Sequence, residues 1–417
     1  MNRDFTSTRG ERWLTLLVYE LAVIAFFIPA GRFNISLFGW YSFSTGYDAY
    51  KLFPILGITW LTWRLQNRDR PWPESPLLLP FFLLVTVSLL AALISPDPYE
   101  AVSETLEILA YFGFLLWLLD VPWTPRRIQT VAAGFVLGNL YLASVAWMQY
   151  HAQDSAVLTR VSATFRHPNF LGSYAILGLT LSFWLLNQTR RPRHLFWLWV
   201  SITGLLFAAA VSQSRVALIA LGLWLLVLLA LGRGRLRRYA AIGLLMGAAA
   251  LVLSPRITAR FSAMSYETPT AEQVNRVLIW RYYLEQEIPS LPFFGLGLGP
   301  VVETRMNDRL AADPSIASLL SHEWGPHNAY LGWLLGAGLA GMFALFWLLG
   351  EALRLAWNAD PWSRPLWMAG WITTLMVITT QDPLLYANLP LALILLLVLC
   401  EKTAMSHPEE VVREGTP

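Results

Sequence analysis

Apolar runs of about 20 residues recur along the whole chain, separated by short polar stretches. A run of that length, wound as a helix, crosses a hydrocarbon core about 30 Å thick. Twelve spans are predicted, near 13–30, 48–65, 76–94, 104–121, 128–150, 169–187, 195–211, 213–231, 237–253, 327–350, 364–380 and 388–402. Lys51 and Pro54 interrupt the start of the second. The expected fold class is therefore an all-α polytopic membrane protein of about twelve transmembrane helices. Helices one to nine fall in 1–253, a long loop in 254–326, helices ten to twelve in 327–402, and a tail in 403–417.

The loops carry a second pattern. With the amino terminus inside, alternate loops should collect Lys and Arg. Arg64, Arg68 and Arg70 share one such loop, and Arg126 and Arg127 the next. Arg190, Arg191 and Arg193 follow, then Arg233, Arg235, Arg237 and Arg238, then Arg354 and Arg364. The 95–103 loop, on the opposite side, holds Asp97 and Glu100 and no base. A miscounted span would scramble this alternation. It predicts a multi-pass protein of the plasma membrane with both termini cytoplasmic.

Composition agrees. Hydrophobic residues make up 56% of the 417, and charged residues only 14%, well below the usual soluble share of about 25%. Twenty Trp and fifteen Tyr suit aromatic belts at the two interfaces. The net charge of +3 follows from positive-inside loops and is no argument for nucleic-acid binding; none is expected. Cys400 is the single cysteine, so an intramolecular disulfide and a CxxC metal site are excluded. Arg3, Arg9 and Arg12 precede the first apolar run, which is read as a retained span and not a cleaved signal.

The 254–326 loop is long enough to hold structure or function. Thr270-Ala-Glu-Gln273 resembles a capping box, and a helical pattern runs from about 271 to 288, up to Pro289. Val274, Val277, Leu284 and Ile288 form one stripe; Arg276, Trp280, Tyr283 and Glu287 form another. A helix on the outer membrane surface is expected. Gly295-Leu-Gly-Leu-Gly299 lacks a preceding strand and the dinucleotide-binding spacing. It reads as a tight turn that lets the loop pack back.

Bases on the outer side run against the sorting rule. Arg160 and Arg166 precede the sixth span, Arg215 sits between the seventh and eighth, and Arg276 and Arg281 lie on the loop helix, with His167 and His327 nearby. Ser212-Gln213-Ser214-Arg215 leaves almost no loop, so the Arg215 guanidinium must lie near the interface, where burial costs about 2.5–3.5 kcal/mol on insertion scales. Arg215 and Arg281 either snorkel to lipid headgroups or bind an anion. As a group, arginines with few acids nearby suit a diphosphate, which guanidinium forks grip bidentately. His327 opens the tenth span within Gly325-Pro326-His327-Asn328. A helix amino terminus favours a nearby anion and disfavours the protonated imidazole, leaving a general base or a capping residue. A metal held by His322, Glu323 and His327 lacks the usual ligand spacing and is not expected. Asp382 is read as a helix cap.

These residues resemble a known family. Arg160, then Thr164-Phe-Arg-His-Pro-Asn-Phe-Leu-Gly172, Ser212-Gln-Ser-Arg215, Asn275-Arg-Val-Leu-Ile-Trp280, Gly295-Leu-Gly-Leu-Gly299 and His327-Asn-Ala-Tyr-Leu331 follow one another across residues 150–345. Their order and spacing resemble the O-antigen ligase (WaaL) and polymerase (Wzy) superfamily. The resemblance implies a GT-C-type glycosyltransferase working at the periplasmic face of the bacterial inner membrane, without metal or other cofactor. It implies an undecaprenyl-diphosphate-linked glycan donor, a lipid A-core sugar hydroxyl as acceptor in lipopolysaccharide biosynthesis, and inversion at the anomeric carbon. Carried over, His327, Arg215 and Arg276 are the catalytic candidates. Arg160, Arg166, His167, Arg281 and Asn328 are expected diphosphate contacts.

Three other readings stay open. A polymerase of the same superfamily shares the donor and differs only in acceptor. A protein O-glycosylating member differs likewise. A lipid-linked glycan flippase is a different class, and it would need a cavity lined with ionisable groups at mid-membrane. Glu20, Glu104 and Glu107 are nearly the whole supply of charge within the spans.

Overall fold

A computed structural model describes residues 8–30, 34–37, 41–44, 52–152, 160–165, 167–189, 191–253, 279–299, 326–379 and 389–405. Each segment expected to span coincides with a helix. In order these are α1 (Thr8–Ala30), α2 (Phe53–Gln66), α3 (Leu78–Leu93), α4 (Pro98–Asp120), α5 (Pro125–Ala152) and α6 (Pro168–Gln188). They continue as α7 (Pro192–Ser212), α8 (Arg215–Leu231), α9 (Gly234–Leu253), α10 (Ala329–Asn358), α11 (Arg364–Ile378) and α12 (Leu389–Met405). Six of them, α1, α4, α5, α6, α7 and α10, are long and apolar enough to cross a membrane by length and composition; α3 and α8 are shorter apolar helices. The chain is a polytopic membrane protein. Between α1 and α2 lies a small antiparallel hairpin, β1 (Asn34–Leu37) against β2 (Tyr41–Ser44), with Asn34 opposite Ser44 and Leu37 opposite Tyr41.

Helix α6 sits at the centre. Its residues from Leu171 to Leu185 are buried without interruption, so it has no lipid-facing stripe. Small and hydroxylated residues make this possible, because they let neighbouring backbones approach. A methyl group at Gly172 would lie 2.3 Å from the Ala217 Cβ of α8. Thr180 accepts the indole N–H of Trp224 in α8 at 2.9 Å. Helix α5 uses the same device against α1. Gly134-Phe-Val-Leu-Gly138 is a GxxxG pair, and added methyls would lie 2.0 Å from Ala22 O and 2.3 Å from Phe26 O.

The end of the bundle where α2, α4 and α6 finish holds a buried ionic cluster. Asp120, 1% exposed, accepts from Arg64 at 3.2 Å and from the Trp60 indole at 3.0 Å, with the Arg70 guanidinium at 3.5 Å. Arg64 and Arg70 thus do more than sort the loop by charge: they neutralise a buried carboxylate.

At the opposite end, the glycine run closes the loop onto the bundle. Gly295, Gly297 and Gly299 all have positive φ, of 80°, 98° and 98°. Leu296 N donates to Leu335 O and Gly297 N to Gly336 O, both at 2.9 Å. Helix α10 opens to receive them: Gly338 has φ 65° and ψ −163° inside the helix. A methyl there would lie 2.1 Å from Phe293 O. Only glycine allows both the backbone angle and this approach. The tight turn expected at 295–299 is thus docked into a broken helix.

The loop helix is described from residue 279. It runs through a π-helical turn, Tyr283–Glu287, into a short 3₁₀ turn, Ile288–Ser290. Ile279 and Tyr283 are buried against Leu331 and Leu335 of α10. Glu287 is buried on the same side, whereas Leu284 is 58% exposed. The stripe carrying Tyr283 and Glu287 therefore faces protein, and Leu284 faces outward, as a lipid-contacting position would. The capping box at 270–273 lies outside the described residues.

Candidate active site

Three segments build the site at the end of the bundle where α6 and α8 begin. The first is 160–165. Its backbone joins the end of α7 through Val161 N to Val211 O at 3.2 Å. The Gln149 side chain brackets Ala163, donating to its carbonyl at 3.0 Å and accepting from its N–H at 2.9 Å. Ala163 is held at φ 49°. Thr164 donates to Pro29 O at 2.8 Å, which ties the segment to α1.

This scaffold aims Arg160. Its Nε donates to Ser212 O at 3.3 Å, and a terminal nitrogen donates to Asn169 Oδ1. Asn169 belongs to the first turn of α6, which His167 caps: the imidazole Nδ1 accepts from Asn169 N at 3.2 Å. Accepting at Nδ1 leaves Nε2 as the position that carries a proton in neutral His167.

The second segment is the reversal between α7 and α8. Gln213 takes the left-handed conformation at φ 47° that ends α7. Ser214 then caps α8 by accepting from Ala217 N at 3.3 Å. Ser212 and Ser214 are fully buried. Arg215 is the first residue of α8 and is half-buried. It makes no hydrogen bond or ion pair with any described residue. A cation at the positive end of a helix dipole is unfavourably placed, and an anion bound there relieves both charges.

The third segment is the start of α10. His327 has φ 47°, in the left-handed region that non-glycine residues seldom take. Asn328 follows as the cap of α10, accepting from Leu331 N at 3.1 Å. The loop helix fixes the approach from the other side: the Trp280 indole donates to Pro326 O at 2.6 Å.

Named contacts bring the third segment to the same end as the first two. Helices α6 and α11 run antiparallel, with Trp184 beside Trp367 (ring centroids 5.5 Å apart) and Thr180 against Gly370. The carboxyl end of α11 therefore lies where α6 begins. Tyr330 donates to Leu375 O at 3.3 Å, which puts the start of α10 at that end too. Arg160, His167, Arg215, His327 and Asn328 share one end of the bundle.

Arg281 is placed differently. It is 69% exposed and pairs with Glu285 at 2.8 Å, an i,i+4 surface pair. Arg166, Arg276, His322, Glu323 and Asp382 lie outside the described residues. Asn169 and Gln149 enter as positioning residues. Asn169 stands in the sequence only as one member of a motif. Gln149 carries no sequence signal, because its partner is a backbone amide pair 14 residues on.

Residues 199–346 match the family described as O-antigen ligase. The chain carries that family's region. It begins within α7, contains Arg215 and His327, and ends within α10. The chain is also similar to a general O-oligosaccharyltransferase of Acinetobacter baylyi (strain ATCC 33305 / BD413 / ADP1). Identity there is 26% over 303 residues, covering 65% of this chain and 50% of the relative. The chain thus spans about half the length of that curated relative. Arg160, His167 and Asn169 fall before the ligase-family region. Arg160 joins them to it through Ser212, at the Arg215 reversal, and in turn holds Asn169, whose N–H donates to His167.

Proposed function

We propose that this protein is an O-antigen ligase of GT-C type, moving a glycan from undecaprenyl diphosphate to a sugar hydroxyl of lipid A-core. The single observation that carries the reading is Arg215: a half-buried guanidinium at the amino end of a helix, without a described partner, beside Arg160 and at the same end as His327. That is a site for an anion at the rim of the bilayer, where a lipid-linked diphosphate presents its charge. The orientation proposed from the loop charges puts this end in the periplasm.

In this mechanism negative charge builds on the diphosphate as it leaves. Arg215 and Arg276, with Arg160 and Arg166 in support, stabilise that charge through fixed donors; one such donor is worth about 3–4 kcal/mol. This role takes the place of a divalent ion, so transfer is metal-independent. His327 accepts the proton of the acceptor hydroxyl as its oxygen attacks the anomeric carbon. The carbon–oxygen bond to the diphosphate breaks in line, and the sugar centre inverts. His167 caps α6, Asn328 caps α10, and both present their remaining polar atoms to the diphosphate.

A second reading has the same donor and a protein hydroxyl as acceptor. The relative's description as a general O-oligosaccharyltransferase favours it. A polymerase would transfer to another lipid-linked glycan. One experiment separates them: delete the gene and analyse lipopolysaccharide, lipid-linked glycan and glycoproteins together. Core without O-glycan, with polymer accumulating on its carrier, supports the ligase. Core bearing a single repeat supports the polymerase. Intact lipopolysaccharide with loss of glycoprotein supports the protein acceptor.

A further inference from the structure

A cavity of about 1250 Å³ opens at the end of the bundle opposite the Arg160–Arg215 cluster. It exceeds the roughly 300–1,000 Å³ of small-molecule pockets. Its walls and its rim differ in kind. Along α5 the lining runs from Gln129 to Leu140, all apolar beyond Gln129, and Leu185, Leu198 and Leu399 complete the shaft. Eleven residues of helix give a depth of about 16 Å, about half of a 30 Å hydrocarbon core, which is one leaflet.

The rim carries three basic side chains, Arg70, His194 and Lys402, from three separate parts of the chain. Arg70 is 36% exposed, and the Asp120 carboxylate it faces is already shared with Arg64. The rim acid is Asp360, whose Oδ1 accepts from Trp362 N at 2.9 Å and Ser363 N at 3.0 Å. Glu401, next to Lys402, is buried and accepts from Ser75. The charge left at the mouth is positive. Trp123, Trp197 and Trp362 stand around it, as tryptophans do at the headgroup level.

We propose that this cavity binds an anionic glycerophospholipid, with its phosphate at Arg70, His194 and Lys402 and an acyl chain along α5. The one-leaflet depth suits an acyl chain and not the much longer tail of a polyprenyl carrier. The basic mouth selects an anionic over a zwitterionic headgroup.

The test uses the full chain reconstituted in vesicles of equimolar phosphatidylglycerol and phosphatidylethanolamine. The protein is then taken up in detergent, and the retained lipid is counted by native mass spectrometry. Phosphatidylglycerol should be retained several-fold over phosphatidylethanolamine. The double variant His194→Gln/Lys402→Gln should abolish that preference. Leu137→Trp, which fills the shaft, should reduce retained phosphatidylglycerol several-fold while the thermal midpoint stays within a few degrees. Equal retention of the two lipids by the unaltered protein overturns the proposal, as does a preference that survives both variants. Displacement of phosphatidylglycerol by equimolar polyprenyl phosphate also overturns it, in favour of the carrier.

Discussion

The indole N–H of Trp280 donates to the carbonyl oxygen of Pro326 at 2.6 Å, one residue before His327. His327 turns at φ 47° between that bond and the Asn328 cap. The backbone that carries His327 is thus fixed on both flanks, on one of them by a residue 46 positions from Pro326. Trp280→Phe keeps the packing against α10 and removes the bond. We expect kcat for glycan transfer to fall about tenfold or more with KM for the donor little changed, since a misplaced base costs rate before binding. Steady-state kinetics over donor concentration check this; a rise in KM at constant kcat would mean that Trp280 serves binding.

His327→Ala should lower transfer by about 10²–10⁴-fold, the usual contribution of a general base, while donor binding persists. A binding isotherm with lipid-linked glycan, set beside turnover, separates the two effects. Normal turnover by the folded variant removes His327 from the chemistry.

Arg215→Lys should fail as a substitute. Lys keeps the charge but loses the planar fork, so transfer should drop by roughly the 10²–10³-fold seen when one fixed donor is lost. The same assay with excess EDTA should leave the unaltered protein active, because the arginines carry the charge. Loss of activity on chelation, restored by a divalent ion, would sink the metal-free scheme.

Gly338→Ala puts a methyl 2.1 Å from Phe293 O and asks alanine to hold φ 65°. The loop must undock or α10 must straighten. The expected signature is loss of the protein from the membrane fraction, or new protease cuts near 293–299. Gly222→Ala is the control, since a methyl there meets nothing within 4 Å.

Asp120→Asn leaves the 9%-exposed Arg64 side chain facing an uncharged partner in a buried site. Breaking such a pair costs about 3–5 kcal/mol. Thermal unfolding in detergent should show a large fall in midpoint. Phe82→Ala, at an outward position 56% exposed, should show little.

Helix positions were legible in the chain because a membrane imposes its own length scale: every expected span is a helix, and most boundaries agree within a few residues. Arg160 and Arg215 drew notice for a related reason, since the loop charges assign them to the side where charge sorting disfavours a base. Arg160 bonds Ser212 O, three residues before Arg215 at the α8 amino end. What periodicity cannot carry is the partner of a given face. The two stripes of the loop helix could be read from spacing, but not that Tyr283 would take the protein side, where Leu331 and Leu335 offer an apolar surface, while Leu284 stays exposed. Likewise Gly134 and Gly138 show a spacing, but only the approach of Ala22 and Phe26 gives it a use.

By itself the sequence determined where the described helices fall along the chain and the glycines that free the backbone at 295–299. These depend on local propensity, length and charge, each read from neighbouring residues. Only the tertiary structure decided that α6 lies at the centre, that Asp120 binds two arginines, that α10 breaks at Gly338, and that Trp280 reaches Pro326. Those depend on contacts between segments tens to hundreds of residues apart, and packing alone chooses among the partners a pattern allows.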